Sequence, residues 1–114
     1  MNNSPYAYFD SFEYPPDMPA DGILSRTILD NDAVRFVLFY FAAGQELSEH
    51  TAALPAIVHI LAGEARLELG GDAKEARAGS TAYMPPGLRH AVYAQTPVVM
   101  LLQLLKVPHS EGAP

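Results

Sequence analysis

The hydrophobic pattern of the chain changes character at Ile23, from where short apolar runs alternate with Gly, Pro, Asn and Asp. Ile23 to Leu29 predicts a strand, and Asp30-Asn31-Asp32 predicts a turn. Val34 to Ala42 is β-branched and aromatic and stops before Gly44. Ala56 to Leu61 and Glu64 to Leu69 read as two strands parted by Ala62-Gly63. The second alternates strictly, with Ala65, Leu67 and Leu69 on one face and Glu64, Arg66 and Glu68 on the other. Gly70-Gly71-Asp72 marks a hairpin turn. Lys74 to Arg77 continues beyond it, and Thr81 to Met84 halts at Pro85-Pro86-Gly87. His90 to Ala94 and Val98 to Lys106 complete the set. No stretch carries the period of a long amphipathic helix. Short strands at close spacing, punctuated by Gly and Pro, predict an all-β antiparallel sandwich or barrel that closes to hide its edges.

Two segments depart from simple alternation. Val98 to Leu105 (VVMLLQLL) is apolar on both parities, so both of its faces should be buried. A lone small barrel rarely covers a strand twice. A second subunit or the N-terminal arm would do so, and a homodimer is expected. Residues 1–22 form that arm, rich in Pro (Pro5, Pro15, Pro16, Pro19) and in aromatics (Tyr6, Tyr8, Phe9, Phe12, Tyr14). Disordered tails are poor in aromatics, so the arm should pack on its own barrel or on a partner. A lid over a ligand pocket is the sharper alternative. The organisation expected is an arm (1–22), a barrel (23–107) and a tail (108–114) that carries a solvated His109.

Composition narrows the chemistry. A chain of 114 residues allows one domain. Seven basic against 13 acidic residues leave a net charge of −6, and the basic residues form no cluster. Nucleic acid and anionic membrane are therefore not expected partners. No apolar run approaches ~18 residues and no secretory signal opens the chain. There is no Cys, which removes disulfides, thiolate metal sites and thiol nucleophiles and is compatible with the cytoplasm. Chemistry must run through four His, carboxylates and Tyr.

Two spaced motifs select among those groups. Gly44 is followed after five residues by His50, with Gly63 thirteen positions further on. Gly79 is followed after five residues by Pro85-Pro86-Gly87 and, two residues later, by His90, in the gapless run GSTAYMPPGLRH. These resemble the two motifs of the cupins, and GQELSEHTAALPAIVHILAGEARLEL resembles small bacterial type-2 cupins of the RmlC-like superfamily. The resemblance covers about Phe36 to Leu105. It implies an antiparallel jelly-roll barrel, usually cytoplasmic and often dimeric, in which many members hold a divalent metal.

The ligand set that the resemblance implies is incomplete here. A metal-binding cupin presents His-X-His and then Glu in the first motif, and a His in the second. His50 and His90 stand at two of the four positions, and Ala52 and Ala56 occupy the other two. Alanine donates nothing, and two imidazoles alone should hold a divalent metal weakly and exchangeably. His59 has the opposite parity to Val58 and Ile60 and is expected on the outer face or at a subunit interface. Glu46 and Glu49 precede His50 in a segment too irregular for parity, and Tyr40 lies in a run apolar on both parities.

The residues expected around a small, mostly apolar cavity are His50, Ala52, Ala56, Val58, Ile60, Met84, His90 and Val92. An imidazole pair there suits a neutral acceptor or a general base. Arg89 should point away from the cavity, either into a surface ion pair or toward an anion at the barrel mouth. The expected function is binding of a small, largely apolar or aromatic organic molecule, with a weakly held divalent metal admitted. An enzyme (a metal-dependent oxygenase, or a metal-free isomerase or epimerase) is the second hypothesis. A non-catalytic dimeric interaction module is the third, and it expects a cavity too small for a ligand.

Overall fold

A computed structural model describes residues 5–12 and 20–106. The tail with His109, and the part of the arm holding Tyr14, Pro15, Pro16 and Pro19, lie outside the described residues. Among the described residues nine strands follow in order: β1 (Ile23–Asp30), β2 (Val34–Phe41), β3 (Glu46–His50), β4 (Ala56–Ala62), β5 (Glu64–Leu69), β6 (Asp72–Arg77), β7 (Thr81–Met84), β8 (His90–Ala94) and β9 (Val98–Leu105). All the pairings between them are antiparallel. The five-stranded sheet has the order β1-β2-β9-β4-β7, and the four-stranded sheet has the order β3-β8-β5-β6. Together they make an antiparallel jelly roll, the all-β class expected. Asp72, the third turn residue expected after Leu69, belongs instead to β6. Gly70 and Gly71 alone make the hairpin turn, both at positive φ (60° and 102°), as a tight two-residue hairpin requires.

The strand not foreseen is β3. Its burial shows why, because only Leu47 is part-covered in the run Glu46–His50. Alternation is interrupted by a bulge: Leu47 pairs with Val92 and His50 with His90, so three steps on β3 match two on β8. One extra residue on β3 returns Leu47 and His50 to the same side despite their odd spacing.

The inner faces of both sheets meet in one core, where Phe41, Ala56, Val58, Ile60, Ala65, Leu67, Met84, Val92, Ala94, Val98 and Met100 are buried. Strand β9 occupies the middle of its sheet, between β2 and β4. Val98 and Met100 point into that core, whereas Val99 and Leu101 point outward with Leu38 and Tyr40 of β2. This second cluster is also buried, and Phe12 of the arm packs on it together with Ile28, Phe36 and Leu61. The Phe9 ring lies 5.4 Å from Phe12 and 6.3 Å from Phe36. The double apolar parity of VRFVLFYF and VVMLLQLL thus reflects two cores, one on each side of one sheet. Tyr40 belongs to the outer one.

Candidate functional site

The second motif places His90 through its loop. Thr81–Met84 ends at Pro85-Pro86, where a strand cannot continue. Gly87 then turns at φ 82° and its N–H donates to the Ala52 carbonyl at 2.9 Å. The Leu88 N–H donates back to the Pro85 carbonyl at 3.3 Å, and β8 begins at His90. The first motif delivers His50 as the last residue of β3, directly opposite His90 in the ladder. The two imidazole rings lie 4.2 Å apart, centroid to centroid, with their planes inclined by 60°. His90 is 8% exposed, the one buried polar residue among those described, while His50 is exposed. The pair therefore spans from core to solvent.

Below the pair is a cavity of about 50 Å³ lined by Phe39, Leu47, His50, Val58, Met84, His90, Val92, Met100 and Leu102. Of the residues expected there, His50, Val58, Met84, His90 and Val92 are brought together. Ala56 and Ile60 are buried in the same core without reaching the cavity wall. Ala52 is half-buried in the loop between β3 and β4. Because β3 and β4 belong to different sheets, alternation does not run unbroken from His50 to Ala56. Sequence reasoning missed Phe39, Met100 and Leu102 because their strands are apolar on both faces. It missed Leu47 because of the bulge.

The rim is polar. A shallow recess of about 180 Å³ is lined by Glu49, His50, Thr51 and Arg89. Arg89 Nη1 is 3.4 Å from Glu49 Oε1, both side chains being well exposed. Such a pair is weak and readily opened. Larger recesses lie elsewhere, one of about 470 Å³ along Glu64, Glu75, Arg77, Ser80 and Gln95. It is an open groove without histidine, and Gln95 Nε2 already donates to Glu75 at 3.0 Å. A third, of about 260 Å³, runs over the outside of the four-stranded sheet. There the Arg66 guanidinium lies 5.6 Å from the centre of the Tyr93 ring and 3.7 Å from Glu75.

Other titratable side chains, His59 and Glu46 among the sequence candidates, fall outside the cavity. His59 lies on the outer face of β4, with Nδ1 3.1 Å from Thr81 Oγ1 and Nε2 2.8 Å from Gln103 Oε1. Tyr83 is 59% exposed on the same outer face, in register with Ile57. Glu46 is exposed on β3.

Residues 37–104 match the family described as Cupin domain, well over half of the chain. The protein belongs to the cupin family. A Streptococcus pyogenes protein of unknown function is similar at 28% identity and TM-score 0.73, over 91% of this chain and 98% of its own. A cupin superfamily protein from Desulfitobacterium hafniense is similar at 26% identity and TM-score 0.70, over 74% of this chain and 77% of its own. An RmlC-like cupin from Desulfovibrio desulfuricans shares the fold at 22% identity and TM-score 0.74, over 87% and 98%. No curated protein matches the chain.

The divalent metal held by many cupins does not fit the donors present. A catalytic metal site takes about three protein ligands. His50 and His90 supply two nitrogens, and no group of three His, Cys, Asp or Glu among the described residues is placed to share an ion. No helix among the described residues is long and apolar enough to cross a membrane.

Proposed function

We propose that this cupin binds a small organic molecule at the barrel mouth, its short apolar end in the cavity and its polar group against His50 and His90. One observation carries the reading: a pair of imidazoles 4.2 Å apart stands over an otherwise apolar cavity. Convergent polar groups over an apolar floor are the usual form of a ligand site. Volume sets the size of the buried end. A cavity of 50 Å³ is well below the roughly 150 Å³ that holds a benzene ring. The enclosed part therefore takes a short aliphatic end, and the rest of the molecule occupies the rim recess. Cytoplasmic residence and assembly as a homodimer belong to the same proposal.

Met84 and Met100 both line the cavity and serve as reporters. With ¹³C-methyl methionine, a library of small alcohols, amines, amides and acids should yield compounds that shift both methyl signals. Val58→Leu, which fills part of the cavity, should weaken those compounds by about tenfold, the scale of a modest packing clash. A library in which nothing moves either methyl overturns the reading and leaves a non-catalytic dimeric module. That second reading has its own support in the apolar outer face of the five-stranded sheet and in the small cavity volume.

A further inference from the structure

The two imidazoles are tied to the backbone in the same way. His50 Nδ1 lies 2.8 Å from the carbonyl oxygen of Ser48, and His90 Nδ1 lies 3.0 Å from that of Leu88, in each case two residues back. A carbonyl only accepts, so in each ring Nδ1 carries the proton. In a neutral imidazole the other nitrogen is then a bare lone pair. Neither Nε2 has a partner among the described residues. No fully buried side-chain nitrogen or oxygen among those residues lacks a hydrogen bond. The free Nε2 of the buried His90 must therefore border open space beside the pair rather than packed core.

Two neighbouring acceptors over an apolar floor restrict what they take. A carboxylate or an ether offers only acceptors, leaving lone pairs opposed to lone pairs. An ammonium donates, but at the cost of desolvating a charge between neutral partners. A single hydroxyl has one hydrogen and answers one nitrogen only. We infer that the ligand presents two donor hydrogens side by side, as in a vicinal diol or a primary amide NH₂, one to each Nε2. The inference rests on the binding reading above and names its chemistry. Arg89 and Thr51, which line the rim recess with His50, are donors suited to the lone pairs such a group keeps.

The tautomers are tested first, on ligand-free, chelator-treated protein at about pH 8, where an ordinary imidazole is neutral. Long-range ¹H–¹⁵N correlation of the rings should show Nδ1 protonated and Nε2 bare in both His50 and His90. A protonated Nε2 in either ring overturns the inference while leaving ligand binding intact. Three probes of equal heavy-atom count follow: 1,2-butanediol, 1,2-dimethoxyethane and butanoate. The diol should move both Nε2 resonances and the Met84 and Met100 methyls. The other two should bind at least about tenfold more weakly, the scale set by an acceptor left unanswered. Equal binding of the diether or of butanoate overturns the donor requirement. So does a diol that leaves the site untouched while other library compounds shift the methionines. If no compound binds at all, the binding reading and the inference fall together.

Discussion

At Gly63 a single hydrogen atom decides whether β4 can turn into β5. The residue has φ 89°, and a Cβ there would overlap the carbonyl oxygen of Pro97 and crowd the Val98 Cα. Those are backbone atoms of the segment entering β9, and they cannot rotate aside. Gly63→Ala should therefore cost about 3 kcal/mol or more, combining left-handed strain with a backbone clash. Urea denaturation measures it, and a loss below about 1 kcal/mol would mean the turn relaxes freely. Gly63 was legible in the sequence as a motif position. Its reason was not, because Pro97 lies in a remote strand connection. The histidines divide in the same way, their identity set by spacing and their tautomers by two backbone carbonyls.

The β1–β2 hairpin and the end of β9 illustrate what an element needs beyond its own pattern. Asn31 Oδ1 accepts the N–H groups of Ala33 and Val34 at 2.8 and 2.9 Å, closing the turn foreseen from Asp30-Asn31-Asp32. Asn31→Ala should cost about 1 kcal/mol in the same denaturation experiment, the usual value of such side-chain to backbone bonds. Lys106 then fastens β9 to this hairpin, donating to the Asp30 carboxylate and, at 2.7 Å, to the Asn31 carbonyl. Lys106 hydrogen bonding, with a further contribution from Arg35, holds the Asp30 carboxyl below its ordinary value despite an opposing desolvation effect. A carboxyl lowered on folding stabilises the fold above its unfolded value, near pH 4, and that contribution fades as pH falls through the folded one. Lys106→Met should thus reduce stability at neutral pH and narrow the gap to wild type in acid. A gap that stays constant from neutral to strongly acid pH would remove Asp30 from the account. Strand β3 stayed hidden for the opposite reason, since a bulged, mostly exposed strand carries no clean period.

On the scale of the whole molecule, the five-stranded sheet has an apolar outside as well as an apolar inside. Leu38, Tyr40, Val99 and Leu101 form its outer cluster, on which Phe12 of the arm packs. Ile57 and Tyr83 pair in register beside the His59–Thr81–Gln103 hydrogen bonds. Ile57 is half-buried and Tyr83 exposed, so this end of the face is less covered than the cluster. Dimerisation through the face predicts that wild type sediments as a dimer. Ile57→Glu should sediment as a monomer with an unchanged far-ultraviolet dichroism spectrum, because a charge on the outer face disturbs association before folding. A monomeric wild type across the micromolar range removes the homodimer from the proposal.

The sequence by itself determined eight of these nine strands and most turns, because their apolar runs and turn residues need no partner to be read. It also determined that two of the four cupin ligand positions hold alanine, a chemical absence that no packing can reverse. Tertiary structure alone decided which face of β2 and β9 looks inward, since both strands are apolar on either parity. It alone brought Leu47 and His50 to one side, through a bulge defined only against β8. Cavity size and the free Nε2 atoms were likewise decided there. They depend on register and on contacts between residues far apart in the chain, which local patterning cannot encode.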